Sequence, residues 1–493
     1  MRFFLMIVLL LSGCTTMEPL DMDEEIGVVY LQKEVIENSK DNIIERPITL
    51  YEAMARAIVF NLDEEVERRE TEYRNLLKKL SETGIWPTLV GSVNSGIRNN
   101  DAGSRSRSLL SGRESLEPST SAERDSQSAD LTLSLDILES AISYIASKEA
   151  EAETYIAHER HRKVLNRIIE DVRTAYWRAV SAERTFEKLL ELESLAEEAL
   201  FQAYELENTR KVTLLPTLSY QRDLIKVKAD VQRIQEELII SKYQLAALMN
   251  LPPNIRYKLE IPTRTEVVPM LPASVDQLVK TALYYRSEMR ELLYTENIND
   301  EKLERAFYES LPTFRTVFGA NYDTNEFLFN QQWYNFSANV SWDLLSVFKY
   351  PIKKRAIFAE RRVIEARKRA LIMAVMTQVH VARAKFVRKA QELRAIKQGN
   401  DVQSRILALI DARHEAKLVG QQTLVKEKLN YILSEINYDS SYADMQNSYA
   451  NLYAAMGLDN YGFEINSNMS VDELAQKLKE HWEERAVVLP KIR

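Results

Sequence analysis

The sequence predicts a mainly α-helical chain in which long antiparallel helical hairpins carry four short β-strands. Three observations support this fold class. Glycine and proline are scarce, at 12 and 13 of 493 residues, and Ala, Glu, Leu, Lys and Arg fill long tracts, a composition typical of long helices and coiled coils. The chain also repeats itself once. Segments with period-two alternation, the pattern of a β-strand, occur at matching places in the two halves.

The N-terminus predicts a secretory signal at residues 1–13. A basic start leads into the apolar run 3–11, which is too short to cross a bilayer, since that takes about 20 residues. The following letters, LSGC, resemble a bacterial lipoprotein signal, in which a lipidated cysteine becomes the first mature residue. Cys14 is the only cysteine of the chain, and a buried structural cysteine is the alternative. The resemblance places the protein at the outer membrane, because Thr15 and not Asp follows.

The internal repeat organises the rest of the chain. At a first offset, of 225, Pro87-Thr88 recurs as Pro312-Thr313. Beyond an insertion between Gly96 and Ala129 a second offset, of 207, applies, and Ser241, Leu245, Met249 and Leu251 recur as Ser448, Leu452, Met456 and Leu458. We therefore predict the following organisation: a segment 14–48, a first repeat 49–251, a linker 252–274, a second repeat 275–458 and a tail 459–493.

Each repeat begins with a helical segment, 49–84 or 274–310, and continues with two alternating segments. In one of these, Leu131, Leu133 and Leu135 alternate with polar residues. Segments of about ten residues with one apolar face suit an outer-membrane β-barrel; two soluble hairpins packed on helices are the alternative. Four strands cannot close a barrel, since about eight are needed, and unpaired edges cannot face lipid. Strands in a membrane would therefore belong to a barrel shared by several copies, and three copies would supply twelve.

A very long helix follows each strand pair. Residues 139–210 contain no proline or glycine and would extend roughly 108 Å at about 1.5 Å per residue. Its apolar seam steps by three and four, which indicates supercoiled neighbours. The seam comprises Ile168, Val172, Ala175, Ala179, Ala182, Phe186, Leu189, Ala196, Leu200 and Ala203. A solvated coiled-coil stalk would explain these helices but not the strands.

Several function classes are disfavoured. The net charge is −8 without a long basic block, which argues against nucleic-acid binding. No phosphate loop, nucleophile elbow or zinc-protease motif occurs, so we predict neither an enzyme nor a cofactor or metal site. His158 and His161 could share a helix face, but a solvated face is the preferred interpretation. Beyond the signal, no apolar run is long enough for a transmembrane helix.

The order helix, strand pair, long helix, reversal and shorter helix, given twice over residues 49–458, resembles the TolC-like outer-membrane factor family. Pro87 and Pro312 are similar to the proline of that family at each helix-to-strand junction. The resemblance implies a homotrimer whose shared twelve-stranded barrel crosses the outer membrane. It also implies a periplasmic tunnel of helices, whose hairpin tips meet a periplasmic adaptor that is linked to an inner-membrane pump.

The tips depart from the family pattern, which is roughly Gly-Leu-x-Ser/Thr-x-x-Asp-x-Leu. Arg210 and Lys417 stand at the two glycine positions, and Pro216 and Thr423 stand at the two aspartate positions. The implied adaptor-binding residues are Val212, Thr213, Leu214, Leu215, Leu418, Val419, Gly420 and Gln421. Our hypothesis is that Arg210 and Lys417 form a basic gate ring; the alternative is that both are solvated or face the adaptor.

The resulting expectation is a passive outer-membrane channel of an efflux or type I secretion system. A coiled-coil outer-membrane lipoprotein with a structural or adhesive role is the alternative. The Ser- and Arg-rich insertion 98–128 is predicted to be a mobile loop outside the cell. The tail is predicted to contain a short helix, with Ser470 and Glu473 spaced as a capping box.

Overall fold

The computed structural model describes residues 46–208, 214–252, 273–458 and 469–487, together with parts of 26–33 and 255–269 and residues 489–490. The first half consists of α1 (Leu50–Phe60), α2 (Leu62–Thr83), β1 (Thr88–Ile97), β2 (Asp125–Asp136), α3 (Ile137–Asn208) and α4 (Leu214–Leu248). The second half consists of α5 (Val275–Tyr285), α6 (Ser287–Tyr308), β3 (Thr313–Asp323), β4 (Gln332–Ser341), α7 (Ser346–Glu415) and α8 (Gln421–Ala455). The tail carries α9 (Val471–Val487). The predicted fold class, long helical hairpins with four strands, is confirmed.

The two halves follow the sequence offsets closely. The bounds of α5 and α6 match those of α1 and α2 at the first offset. The bounds of α8 match those of α4 at the second offset, and the end of α7 matches the end of α3 in the same way. The residues that occupy matching places in the two halves can therefore be assigned one by one.

The first helical segment of each half is broken, whereas the sequence predicted one continuous segment. Asn61 ends α1 and begins α2, and its side-chain oxygen accepts from the backbone nitrogen of Asp63 at 2.9 Å. Its amide nitrogen donates to the carbonyl of Leu248 at 3.1 Å. An asparagine that caps a helix competes with the helical backbone bonds at the same place. The matching break between α5 and α6 lies at Arg286, the counterpart of Asn61 in the second repeat.

The four strands form one antiparallel sheet in the order β1-β2-β3-β4. Leu89 of β1 lies opposite Leu133 of β2, which lies opposite Phe318 of β3, and Phe318 lies opposite Phe336 of β4. The two hairpins are therefore joined directly through β2 and β3. In the described chain, β1 and β4 are the two edges.

The insertion between β1 and β2 is shorter than predicted, because β2 begins at Asp125 and not after Ser128. It also contains two antiparallel bridges, Ser104 with Ser119 and Arg107 with Glu114. Asp101 and Arg124 close its base with side-chain hydrogen bonds of 2.6 and 2.7 Å. The insertion is thus a hairpin extension of the sheet.

Within the part of the chain that the structure describes, three clusters of buried side chains hold the helices together. One contains Tyr176 of α3, whose hydroxyl donates to the carbonyls of Ile48 and Glu260 at 3.2 and 2.9 Å. A second lies between α7 and α8, and a third packs the distal parts of α3, α4 and α8. Most of the predicted α3 seam is buried, but Phe186 is 41% exposed, because it lies on a side of α3 that no described element covers.

Helix α7 contains a segment that is long and apolar enough to span a membrane by composition, whereas the sequence predicted no such segment after the signal. One 18-residue window of α7 has a mean hydropathy of 1.3, and only 17% of that window is buried. Val375 and Val379 face the cluster with α8, but Met373 and Val381 are more than half exposed. Helix α7 therefore has two apolar faces. One packs on α8, and the other is exposed in a single chain.

The tail helix α9 packs on α1. The Ser470 hydroxyl accepts from the backbone nitrogen of Glu473 at 3.2 Å, which is one of the two hydrogen bonds of the predicted capping box. The Arg173 guanidinium lies over the Trp482 ring at 4.1 Å and joins α9 to α3. The tail thus covers the middle of the helical region.

Candidate functional site

The sheet exposes its apolar side chains more than its polar ones, which is the reverse of a sheet in a water-soluble protein. In β2, apolar and polar side chains alternate, and the apolar ones are the more exposed. Leu131 and Leu133 are 49% and 41% exposed, whereas Ser134 is 7% exposed. A sheet on a water-soluble core buries its apolar face, so this sheet is built for an apolar environment on its outer side.

The apolar face runs across all four strands. Leu89, Leu133, Phe318 and Phe336 form one row, and Leu131, Ala320 and Tyr334 continue a second. The rings of Phe318 and Tyr334 stack with 6.2 Å between centroids. The strand register therefore turns four separate alternation patterns into one continuous apolar surface.

The opposite face is polar and internally hydrogen-bonded. Thr313 donates to Asp136 across β2 and β3. Arg315 donates to the Ser134 hydroxyl at 3.4 Å. This face carries the small and polar residues Ser92, Asn94, Asp130, Thr132, Asn321, Asn335, Ser337 and Asn339. It is suited to contact water.

Both junctions between strand and long helix carry an aspartate. The Asp136 carboxylate accepts from the backbone nitrogens of Leu138 and Glu139 at 3.1 Å. Asp343, its counterpart in the second repeat, accepts from the backbone nitrogen of Leu345 at 3.0 Å. Acidic side chains at helix N-termini satisfy free backbone donors. Asp136 therefore caps the first turn of α3, and Asp343 stabilises the turn that precedes α7.

Pro87 and Pro312 immediately precede β1 and β3, as the sequence predicted. Proline fixes φ and cannot continue the preceding helix. At the second junction, Trp342 and Ser346 both donate to the carbonyl of Ser310, at 3.1 and 3.2 Å. Each half thus enters and leaves the sheet through defined junctions.

The tip between α7 and α8 is fully described. Lys417 has a left-handed backbone, with φ of 58°. Its nitrogen donates to the carbonyl of His414 at 2.8 Å, and the nitrogen of Leu418 donates to that of Arg413 at 2.9 Å. These two bonds define the Schellman turn, whose left-handed position usually holds glycine. A glycine at this position would adopt the positive φ without steric strain. Lys417 adopts the same φ although it carries a Cβ.

The remaining candidate tip residues lie at helix ends. Leu418 is 76% exposed, and the carbonyl of Val419 contacts His414 Nδ1 at 3.0 Å. Gly420 precedes α8, and Gln421 is its first residue. Leu214 and Leu215 begin α4 and are 60% and 77% exposed. Leu214 and Leu215 at the first tip and Leu418 at the second therefore form exposed apolar surface at the ends of the hairpins.

Three predicted tip residues, Arg210, Val212 and Thr213, lie outside the described residues, as does Cys14. The gate ring and the lipid anchor remain predictions.

A buried ionic cluster was not found from the sequence. The side chain of Asp439 in α8 is fully buried and accepts from Arg184 of α3 at 2.8 Å. Arg264 of the linker lies 3.3 Å from the same oxygen and stacks on Tyr438 with 4.7 Å to the ring centroid. This cluster joins the two halves and the linker at one point.

One of the two histidines on α3 contacts a neighbouring helix. His161 Nε2 contacts Glu64 Oε1 at 3.1 Å, and burial lowers the pKa of His158. Among the described residues, no group of three His, Cys, Asp or Glu side chains is placed to hold a metal ion. The contact between His161 and Glu64 joins α3 to α2.

The architecture matches known membrane channels. The Campylobacter jejuni CmeC outer membrane channel is 13% identical, covers 88% of this chain and 89% of its own, and has a TM-score of 0.65. The open-state Neisseria gonorrhoeae MtrE outer membrane channel is 17% identical, with coverage of 83% and 88% and a TM-score of 0.63. The Vibrio cholerae outer membrane protein VceC is 12% identical, with coverage of 83% and 96% and a TM-score of 0.63.

No protein-family model and no curated protein sequence matches the chain. The likeness therefore rests on structure at low identity. The resemblance seen in the sequence is confirmed as a likeness of fold, over most of both chains.

Proposed function

We propose that this chain, which has the fold of TolC-like outer-membrane factors, is the outer-membrane channel of a tripartite efflux or type I secretion system. It conducts substrates passively from an inner-membrane pump and a periplasmic adaptor to the exterior, and it is not an enzyme. One observation carries the proposal: the sheet has a continuous exposed apolar face, a polar opposite face and two open edges.

The open edges require more than one chain. Backbone groups in hydrocarbon have to be paired within the protein, and β1 and β4 have no outer neighbour in the described chain. Pairing β4 of each copy with β1 of the next closes a barrel. Three copies give twelve strands, so the functional unit is a homotrimer.

The long helices supply the periplasmic part. Helix α3 has 72 residues and at about 1.5 Å per residue extends roughly 108 Å from the sheet to its tip. The exposed leucines at the tips, Leu214, Leu215 and Leu418, together with Val419, Gly420 and Gln421, form the adaptor-binding surface. Val212 and Thr213 complete it, and Arg210 and Lys417 are the candidate gate.

The N-terminal part completes the membrane attachment. Residues 1–13 are the signal, Cys14 carries the lipid, and the segment to residue 48 leads to the first repeat. Acyl chains add about 0.8 kcal/mol per buried CH₂ group. In this proposal the first repeat spans 49–251, the linker 252–274, the second repeat 275–458 and the tail 459–493. The protein therefore resides in the outer membrane of a diderm bacterium and extends into the periplasm.

A coiled-coil lipoprotein without a pore is the second candidate, favoured by the length of α3 and α7 alone. It leaves the apolar sheet surface without a purpose, because a solvated stalk does not need an outward row of leucine and phenylalanine. The channel accounts for both parts of the chain.

The test is planar-bilayer conductance of the purified lipidated protein, with its mass measured in detergent. We expect discrete conductance steps from a trimer. A monodisperse monomer without conductance would instead support the stalk.

Two adjacent residues on opposite faces of β4 provide a matched control. Phe336→Arg places a charge on the apolar face, where such a change costs about 2–4 kcal/mol near the bilayer midplane. Ser337→Arg places the same charge on the polar face. We expect the first to abolish barrel insertion and the second to insert and shift ion selectivity toward anions. Equal behaviour of the two variants would contradict the assignment of the faces.

A further inference from the structure

We propose that the polar face of the sheet carries a binding site for organic cations, formed by Asp130, Asn321 and Trp333. The inference rests on the proposed channel, in which this face lines the barrel, and it names a class of substrate for that channel. The carboxylate binds the charge of an ammonium group, and the indole ring covers the apolar part of the same molecule.

The three residues lie in one row across the sheet. Asp130 of β2 is opposite Asn321 of β3, and Asn321 is opposite Trp333 of β4. Residues that are directly opposite in an antiparallel pair lie on the same face. That face is the polar one, because Asp130 and Thr132 are two positions apart in β2 and successive side chains of a strand alternate between faces. Trp333 is therefore an aromatic side chain on the polar face.

Asn321 orients the other two side chains. In the amide orientation that suits both neighbours, its nitrogen donates to Asp130 Oδ1 at 2.9 Å, and its oxygen accepts from Trp333 Nε1 at 3.2 Å. The Asn335 amide contacts that of Asn321 at 2.5 Å. It lies over Gly319, where a Cβ would clash with Asn335 Oδ1. The glycine therefore leaves room for the amide that supports the row.

The Asp130 carboxylate has no cationic partner. Within the described part of the chain, no lysine, arginine or histidine forms an ion pair with it. Arg315, the only basic residue that the four strands carry on this face, lies opposite Asp136. About 20 Å of strand separates Asp136 from Asp130, at about 3.3 Å per residue. The charge of Asp130 is thus left for a cation from solution.

Trp333 is 41% exposed and is the only aromatic residue on the polar face of the four strands. It is not placed to anchor the barrel in lipid, because Tyr334 and Phe336 lie on the other face. Tryptophan is the aromatic side chain that attracts cations best. Since β2 and β4 are about 10 Å apart, two strand spacings, an ammonium group at Asp130 leaves its alkyl or aromatic part beside the indole.

The row lies in the half of the sheet that is distant from the helices. All four helices that join the strands, α2, α3, α6 and α7, connect at the opposite end. Three copies would therefore place three Asp130 carboxylates at one height in the outer half of the barrel, and Asp323 adds to this charge one row further out. Walls of one charge raise the local concentration of the opposite ion. The wall thus favours organic cations over neutral or anionic molecules.

Equilibrium dialysis of benzyltriethylammonium against the purified lipidated trimer in a nonionic detergent tests the site. The measurement does not require an open tip, because the outer end of the barrel faces the solution. We expect saturable binding of one ion per chain. Binding should be about tenfold weaker in Asp130→Asn, because contacts to a charged group are stronger than those to a neutral one. The new amide can still accept from Asn321, so the wall itself stays intact.

Asp125→Asn is the matched control, since Asp125 belongs to the same strand but lies on the other face, opposite Ile97. It removes the same charge and should bind the probe as the unmodified protein does. Phenylmethanesulfonate, an anion with the same ring, should not bind to either protein.

Two substitutions of Trp333 test the contribution of the ring. Trp333→Ser should weaken the binding of benzyltriethylammonium about fivefold, and Trp333→Phe should restore most of it, because phenylalanine also attracts cations. Tetraethylammonium carries no ring and should be less sensitive to Trp333→Ser than the benzyl compound. These comparisons separate the aromatic contact from the attraction between charges.

The outcomes distinguish the site from the channel. Trimers of Asp130→Asn and Asp125→Asn that bind the probe equally would overturn the site and leave the channel intact, as would an unmodified trimer without saturable binding. If Asp130→Asn does not form a trimer, equal binding by Trp333→Ser and the unmodified protein would overturn the site. A monomeric unmodified protein without conductance would overturn the channel and the site together. Loss of binding in Asp130→Asn alone, with Trp333→Phe binding more tightly than Trp333→Ser, establishes the site.

Discussion

Asn250 and Gly457, which occupy matching places in the two repeats, share a left-handed backbone, with φ of 54° and 71°. Each residue follows the last turn of the returning helix of its half. After each, a leucine nitrogen donates back to the helix: Leu251 to Ala246 at 2.8 Å and Leu458 to Tyr453 at 3.2 Å. The same turn therefore closes α4 and α8.

Gly457→Ala should destabilise the protein. A Cβ at this position would lie 2.9 Å from Arg286 Cα and 3.0 Å from the carbonyl oxygen of Tyr285, and the backbone at Arg286 cannot move without disturbing the break between α5 and α6. The left-handed conformation alone costs a residue other than glycine about 1–3 kcal/mol, and the clash adds to this. The midpoint temperature of thermal unfolding should fall.

Asn250→Ala is the matched control, because it changes the same turn in the other half. It should lose less stability than Gly457→Ala, because Asn250 already carries a Cβ at its positive φ and the substitution adds no new clash. A larger loss for the Asn250 variant would mean that the close approach to Arg286 has no energetic effect.

Asp439→Asn should be among the most destabilising polar substitutions in the helical region. The carboxylate is fully buried between Arg184 and Arg264, and removing one partner of a buried pair costs about 3–5 kcal/mol. Asp444→Asn is the control, because Asp444 pairs with Lys389 at 2.9 Å but is 45% exposed. An exposed pair contributes about 0–1 kcal/mol. Denaturant or thermal unfolding of both variants should separate them, and similar stabilities would argue against the cluster as a structural junction.

Lys417 allows charge and conformation to be separated at the tip. Lys417→Gly and Lys417→Ala both remove the charge, but only glycine relieves the left-handed backbone, which costs other residues roughly 1–2 kcal/mol. Hydrogen exchange at the end of α7 should therefore be slower in the glycine variant than in the alanine variant. If the gate ring exists, both variants, each combined with Arg210→Ala, should shift conductance and ion selectivity equally. Unchanged conductance and selectivity would count against the ring.

The break at Arg286 should be sensitive to acid. Burial acts to raise the pKa of Glu288, but hydrogen bonds from Arg286 at 3.1 Å outweigh it, so the pKa lies below its ordinary value of 4.5. A carboxylate with a lowered pKa stabilises the folded state above its ordinary pKa, and this contribution is lost as the pH falls through the lowered value. Glu288→Gln should be less stable at neutral pH and should lose less stability below pH 4.5.

The unmodified protein and Glu288→Gln should be compared by thermal unfolding across that range. Glu304→Gln on the same helix is exposed and should follow the unmodified protein. A constant stability difference between the unmodified protein and Glu288→Gln at all pH values would contradict a contribution from ionisation.

The strands could be predicted from the sequence because their signal is local. Alternation of Leu131, Leu133 and Leu135 with polar residues identifies a strand with two unlike faces, and the repeat identifies its counterpart. The start of β2 at Asp125 could not be predicted in this way. Residues 125–130 carry little apolar character, and their place in the ladder depends on pairing with β1 and β3.

The helix break at Asn61 shows a second limit. The apolar spacing of α1 and α2 continues across it, so periodicity alone predicts one helix. The break is stabilised by the Asn61 side chain, which caps α2 and reaches Leu248, a residue 187 positions away. A contact of that range depends on how the returning helix α4 packs.

The ionic cluster at Asp439 shows why part of the candidate site was missed. Asp439, Arg184 and Arg264 belong to three separate segments, and each alone reads as an ordinary charge on a helix or linker. Their meeting depends on the path of the linker across α3 and α8. The turn between α7 and α8 contains Lys417, where the repeat and the family pattern mark the same residue, and the role of this tip stays a prediction.

Joining two repeats in one polypeptide changes how the proposed ring assembles. The joint between β2 and β3 forms within a chain, where the connecting residues keep the two repeats at a high effective concentration. The joint between β4 and β1 of the next copy is the one that depends on protein concentration. Every second joint of the ring therefore does not depend on protein concentration. Half of the joints that close the ring have already formed within each chain before the chains associate.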